Sequence, residues 1–160
     1  MIYHSPLGPR SLVADESGLR GAWFVGQKYF ERGLSGQIIG ASNPFLEQTA
    51  QLLDAYFASQ DVDFSSLTLA DAGTDFQKRV WNYLSQIPKG KTVTYGQIAR
   101  DLGVSSAQAV GGAVGRNPFS VIIPCHRVLG SQGQMTGYAG GIDKKLWLLN
   151  HEAAKIDRKK

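Results

Sequence analysis

Three N-terminal capping boxes punctuate the second half of the chain, and they constrain it to a set of short helices. In a capping box, Ser or Thr enters the helix and Glu or Gln follows one turn on, each side chain accepting from the other's backbone N–H. Thr74-Asp75-Phe76-Gln77, Thr94-Tyr95-Gly96-Gln97 and Ser105-Ser106-Ala107-Gln108 all have this form. The first predicts a helix with Phe76, Val80, Tyr83 and Leu84 as its buried stripe, ended by the basic turn Ile87-Pro88-Lys89-Gly90-Lys91. The second opens a helix through Ile98 and Ala99 to Leu102, with Gly103 suited to the left-handed position beyond its end. The third starts a helix of small residues, Ala109 through Val114. Two short helices joined at Gly103-Val104 read as a helix-turn-helix.

The first half is patterned differently. Ser11–Ala14 and Leu19–Phe24 flank Asp15-Glu16-Ser17-Gly18, a turn sequence that predicts a hairpin. Residues 26–42, rich in glycine and polar side chains, read as a long loop. From Pro44 to Phe57, apolar residues recur at three- and four-residue spacing and predict an amphipathic helix. The break at Asp71-Ala72-Gly73 divides the chain into expected domains 1–72 and 73–160.

Charge follows the same division. Residues 1–72 hold four bases against eight acids, a net −4, whereas residues 73–160 hold thirteen bases against five acids, a net +8. A basic half of this kind suits a polyanion, although a solvated surface and tail give the same count. No apolar run approaches the roughly 18 residues that span a membrane. The start, Met1-Ile2-Tyr3-His4-Ser5-Pro6, has neither the basic nor the apolar region of a secretory signal. A single cysteine excludes an internal disulfide, and without a Cys-x-x-Cys pair no structural zinc is expected. These features predict a reduced, cytoplasmic protein with no metal and no cofactor.

That cysteine follows an apolar run, Phe119-Ser120-Val121-Ile122-Ile123, expected to be a buried strand with Pro124 making a rigid exit. Cys125 is followed by His126 and Arg127, and cations beside a thiol favour the nucleophilic thiolate. On the residues alone, two readings stand: an inert core thiol, or a nucleophile whose base is His126, His151 or Glu152. The small-faced helix has two readings as well, a tight helix–helix contact or close approach to a duplex.

The stretch Ile123-Pro124-Cys125-His126-Arg127-Val128 resembles the active-site signature of the O6-alkylguanine-DNA alkyltransferases. The resemblance continues through Asp75-Phe76-Gln77, Thr94-Tyr95-Gly96, Asn117-Pro118, Tyr138-Ala139-Gly140-Gly141 and Asn150-His151-Glu152. It covers residues 73–160 densely and residues 1–72 more thinly, through Ser5-Pro6-Leu7-Gly8-Pro9 and Ala55-Tyr56-Phe57. It implies an α+β fold, a small N-terminal antiparallel-sheet domain packed on a mostly helical C-terminal domain. It also implies repair by direct reversal, in which a flipped nucleotide gives its O6-alkyl group irreversibly to the protein's own thiol, with O4-alkylthymine as an extension. By the resemblance Cys125 is the nucleophile, His126 takes its proton through a water and is oriented by Glu152, Tyr95 serves guanine N3, and Asn117 braces the turn. Val128, Tyr138, Ala139 and Gly140 wall the substrate pocket. Thr94, Tyr95, Ser106, Ala107, Gln108, Ala109, Gly112 and Arg116 meet DNA through the minor groove. The implied partner is double-stranded DNA containing O6-alkylguanine, bound by a monomer with no obligate protein partner.

One departure stands out. Family members commonly carry an arginine in the recognition helix, which fills the place of the flipped nucleotide; Gln108 occupies that position here, after a turn about one residue shorter. Glutamine has shorter reach and no charge, a loss of roughly 1–3 kcal/mol on the scale of one nucleic-acid contact, unless Gln108 closes its capping box with Ser105. Three other functions compete. A non-catalytic sensor of alkylated bases lacks the cysteine present here. A Cys-His hydrolase needs an oxyanion hole with no signature in this chain. An adaptive-response regulator needs further zinc-binding cysteines.

Overall fold

The computed structural model describes residues 1–26, 43–134, 137–138 and 140–157, with no side chain described beyond Ala153. The loop expected at 26–42 lies outside the described residues from position 27 onward. The fold is α+β, and the chain divides into two units, Met1–Ala72 and Gly73–Lys160.

In the first unit, strands β1 (Ile2–Ser5), β2 (Gly8–Asp15) and β3 (Gly18–Phe24) form an antiparallel sheet in the order β1-β2-β3. The hairpin of β2 and β3 is the one the turn sequence predicts. Ser17 N donates to Asp15 Oδ1 at 2.7 Å, and Gly18 takes φ +138°. A Cβ on Gly18 would stand 2.6 Å from the Thr68 carbonyl oxygen, so the turn requires glycine in both conformation and space. Consecutive residues Leu12, Val13 and Ala14 are all buried, so β2 is covered on both faces rather than alternating. Helix α1 (Pro44–Phe57) packs on β2 and β3 through Leu46, Leu53 and Tyr56. Asn43 caps it, its side-chain oxygen accepting from Phe45 N at 2.8 Å, and Pro44 fits the first turn, where no N–H is needed.

The second unit opens with α2 (Asp75–Leu84), whose capping box is complete: Gln77 N donates to Thr74 Oγ1 at 3.1 Å, and Thr74 N to Gln77 Oε1 at 2.9 Å. Its buried face is Val80, Trp81 and Leu84, while Phe76 and Tyr83 are only half-buried. The apolar spacing missed Trp81, which is fixed by its polar end: Nε1 donates to the Ala113 carbonyl at 2.8 Å. Strand β4 (Val93–Thr94) runs directly into α3 (Tyr95–Leu102), and Gly103 ends that helix at φ +71°. Helix α4 (Ala107–Gly115) follows, packed on α2 and α3. Among the described residues, no helix is long and apolar enough to cross a membrane.

Two sequence expectations change here. Helix α4 is capped by Ser106, which accepts from Ala109 N at 3.0 Å, and not by Ser105. Gln108 therefore sits one position too early to close a capping box. The second change concerns 119–123, which is a tight buried turn instead of a strand. Ile123 N donates to the Phe119 carbonyl at 2.8 Å, and Val121 adopts φ +75°. A β-branched residue in that region is strained, so the surrounding contacts must hold it there.

The cap position is testable. Ser106→Ala should destabilise the protein in urea unfolding by about 1 kcal/mol, and Ser105→Ala should leave it nearly unchanged; the reverse order would place the cap at Ser105.

Candidate active site

The site grows out of the buried turn. Asn117 substitutes its side chain for the missing strand partner: Phe119 N donates to its Oδ1 at 2.9 Å, and its Nδ2 donates to the Ile123 carbonyl at 2.8 Å and to that of Phe119 at 3.4 Å. Pro124, at φ −79° and ψ 66°, is the centre of an inverse γ-turn closed by Cys125 N donating to the Ile123 carbonyl at 2.7 Å. The chain then enters a single 3-10 turn, Cys125–Arg127, and β5 (Val128–Leu129). Strand β5 pairs in parallel with β4, Val93 opposite Val128 and Thr94 opposite Leu129. This two-residue ladder sets the start of α3 beside the exit of the cysteine turn.

Helix α5 (Ile142–Asp157) closes the site with one face, Lys145, Leu148 and Glu152, all without exposed surface. His126 is equally buried, and its Nε2 lies 2.7 Å from Glu152 Oε2. Arg127 grips the same carboxylate, Nε donating to Oε1 and Nη2 to Oε2, each at 3.0 Å, while Nη1 donates to the Ile87 carbonyl at 2.6 Å. Cys125 is 5% exposed.

These groups set one another's protonation. Burial would raise the Glu152 carboxyl, but the hydrogen bonds from His126 and Arg127 outweigh it and hold the group well below the usual carboxylate range. Burial pushes the His126 imidazole down; Glu152 pulls the other way, and the Arg127 and Lys145 charges reinforce burial. At neutral pH the pair is thus carboxylate and neutral imidazole. The ionised carboxylate accepts from Nε2–H, leaving Nδ1 bare; this buried nitrogen has no hydrogen-bond partner among the described residues. Lys145 is pushed down to about 8 by burial, against the charge of Cys125, which raises it. The site thus holds a buried thiol, a neutral imidazole and the cationic side chains of Arg127 and Lys145, and cations near a thiol favour the thiolate.

Other expected residues gather nearby or stand apart. Tyr95, half-buried at the start of α3, donates its hydroxyl to the Gly137 carbonyl at 3.4 Å. Val128 is fully buried, Tyr138 and Gly140 are half-buried, and Ala139 lies outside the described residues. His151, considered as a base, instead stacks on Trp147 with ring centroids 4.9 Å apart. The Thr94 hydroxyl accepts from Gln97 N at 3.1 Å and so caps α3. Ser106, Ala107, Gln108 and Ala109 form an exposed ledge at the start of α4. Gly111 faces the Tyr95 ring, where an added Cβ would make contact at 3.8 Å. The small residues of α4 therefore serve both readings, one side inward against α3 and the other open. Arg116 caps the far end of α4, and its Nη1 donates back to the Gly112 carbonyl at 3.3 Å. Among the described residues no cluster of three His, Cys, Asp or Glu could hold a metal ion.

Sequence reasoning did not single out Lys145. Its spacing from Leu148 and Glu152 on one helical face was the available signal.

Two family descriptions match this chain: the DNA-binding domain of 6-O-methylguanine DNA methyltransferase over residues 75–154, and its ribonuclease-like domain over residues 1–70. A methylated-DNA–protein-cysteine methyltransferase of Methanosarcina acetivorans is 44% identical over 155 residues, covering 96% of this chain and 97% of its own. One from Mycobacterium leprae is 43% identical, over 95% and 90%. The crystal structure of Mycobacterium tuberculosis OGT in complex with DNA superposes with a TM-score of 0.84 at 38% identity, covering 96% of this chain and 92% of that one.

The buried lysine predicts a pH signature. With its folded value near 8 and its ordinary value 10.5, the unfolded chain holds the proton more tightly, so native stability rises across that window. Relative to Lys145→Met, the parent should gain up to about 3 kcal/mol between pH 8 and 10.5, read by denaturant unfolding at each pH. A constant difference would mean that the ammonium is hydrated.

Proposed function

The chain belongs to the 6-O-methylguanine DNA methyltransferase family, and from that premise we propose that it repairs O6-alkylguanine in duplex DNA by a single transfer of the alkyl group to Sγ of Cys125. The observation that carries this reading is the bare, buried Nδ1 of His126 next to the thiol in sequence, fixed by Glu152 on the opposite ring nitrogen.

The nucleotide must leave the stack for its O6 substituent to reach a 5%-exposed sulfur. Sulfur attacks the alkyl carbon in line with the C–O6 bond; the S–C bond forms as the C–O bond breaks, and the bonding pair departs on guanine. The thiol proton passes to His126 Nδ1 through a bridging water. Tyr95 donates at guanine N3 and eases departure of the anion. Asn117 holds the turn that presents the thiol, and Val128, Tyr138, Ala139 and Gly140 enclose the base. A thioether has no proton for His126 to take and no leaving group, so each molecule reacts once.

In this reading residues 73–160 carry the chemistry and the DNA surface, and residues 1–72 have a structural role. The exposed ledge Ser106, Ala107, Gln108 and Ala109, with Thr94, Gly112 and Arg116, meets the minor groove, where small side chains permit close approach. An isolated lesion needs one thiol, so a cytoplasmic monomer without metal, cofactor or obligate protein partner suffices.

Incubation with duplex DNA bearing isotopically labelled O6-methylguanine should place one methyl group on the peptide containing Cys125, read by mass spectrometry. Cys125→Ala should abolish transfer and spare binding; binding without transfer by the folded parent protein would make it a sensor instead. Gln108→Arg should tighten duplex binding by roughly 1–3 kcal/mol. Weaker binding by that variant, with its fold intact, would show that position 108 does not fill the vacated stack.

A further inference from the structure

Arg127 follows the thiol and its histidine directly, a position from which a cation could serve the thiolate. Its observed contacts assign it elsewhere. The guanidinium fork spans both oxygens of Glu152 at 3.0 Å each, and its remaining arm is anchored on the Ile87 carbonyl at 2.6 Å. We propose that Arg127 is a positioning residue for the reaction: by gripping both Glu152 oxygens it decides which ring nitrogen of His126 carries the proton, and so keeps Nδ1 open for the proton that leaves Cys125. The inference rests on the reading of His126 as the proton acceptor.

Buried charge is what constrains the three side chains. Glu152 has no exposed surface, and its Oε2 is shared by His126 Nε2 at 2.7 Å and Arg127 Nη2. With Arg127 present, guanidinium, carboxylate and neutral imidazole sum to zero, which a desolvated site tolerates. Remove the guanidinium and two relaxations are open. The carboxyl can take a proton and donate it to Nε2, which moves the ring proton to Nδ1. Alternatively, the carboxylate stays ionised and draws a second proton onto the imidazole, because the guanidinium that held both its oxygens is gone. Both end with Nδ1–H, and the acceptor for the thiol proton is gone. Glu152 and Lys145 from α5 and Arg127 from the cysteine turn are the charged groups that act on His126; α2 packs on that turn as well, and among the described residues none of its charged groups acts on the imidazole. Lys145 is cationic below about pH 8, and its charge opposes the second route at His126. A bidentate fork is required, since a single ammonium fixes one oxygen and leaves the carboxylate free to rotate.

The test compares the parent protein with Arg127→Gln and Arg127→Lys. Single-turnover methyl transfer is followed against pH, the protonation of each His126 ring nitrogen is read by nitrogen-15 NMR, and affinity for unmodified duplex and thermal unfolding serve as controls. Arg127→Gln should slow transfer at pH 7 by roughly 10- to 100-fold, move the acid limb of the rate profile and show Nδ1 protonated, with DNA affinity unchanged. Arg127→Lys should fall between the two, and it decides the matter if the glutamine variant does not fold. A folded Arg127→Gln protein whose Nδ1 stays bare, or an Arg127→Lys protein with the parent's rate and profile, would overturn the inference. Undiminished transfer by His126→Gln would instead remove the reading beneath it.

Discussion

A carboxylate with no exposed surface sits at the centre of the second unit, and the surrounding elements answer to it. An ion of that size costs several kcal/mol to desolvate, so Glu152 must be surrounded by donors. They come from His126 and Arg127, and Arg127 carries the chain of contacts on to the Ile87 carbonyl beyond the end of α2. One carboxylate thereby ties α5, the cysteine turn and the segment after α2 to fixed positions. None of these links is a hydrophobic contact with room to slide. Each is a directional hydrogen bond in a dry setting, where loss of one partner leaves a charge exposed to nothing.

The second constraint is the strained turn before the cysteine. Val121 occupies a backbone region costly for a β-branched residue, and Asn117 satisfies three backbone groups that a strand partner would otherwise hold. The turn, braced by the Asn117 side chain, carries Cys125 at 5% exposure. Two sets of residues are then distinct: Asn117, Val121 and Pro124 shape the turn that carries Cys125, whereas His126, Glu152 and Lys145 are the buried titratable groups of the site.

What was readable in the sequence follows the range of the interactions involved. Caps act within a few residues, so Thr74 and Thr94 were legible, as were the hairpin glycine and Gly103. Ser105 and Ser106 are equally competent caps by composition, and only the path of the turn selects Ser106. The run at 119–123 has the β-branched content of a strand, but Asn117 supplies the backbone partners locally, so no strand pairing forms. The ladder of β4 and β5 spans two residues, too few to leave a periodic trace. At the site, the candidate residues were named through family resemblance, and the residue types alone left the choice of base open. The Arg127 contact with Glu152 was not legible, because it joins residues 25 positions apart.

The buried charges also explain why a lysine is tolerated in this core. Arg127, Glu152 and neutral His126 already balance, and Lys145 adds one positive charge on the same face of α5. Burial strips the ammonium of hydration and lowers its hold on a proton; the charge of Cys125 opposes this only in part. That coupling is reciprocal, since an interaction energy between two ionised groups belongs to both. Whatever the thiolate contributes to keeping Lys145 charged, Lys145 contributes to keeping the thiolate. A neutral apolar residue at 145 would pack with less desolvation cost, and it would remove the positive charge that interacts with Cys125.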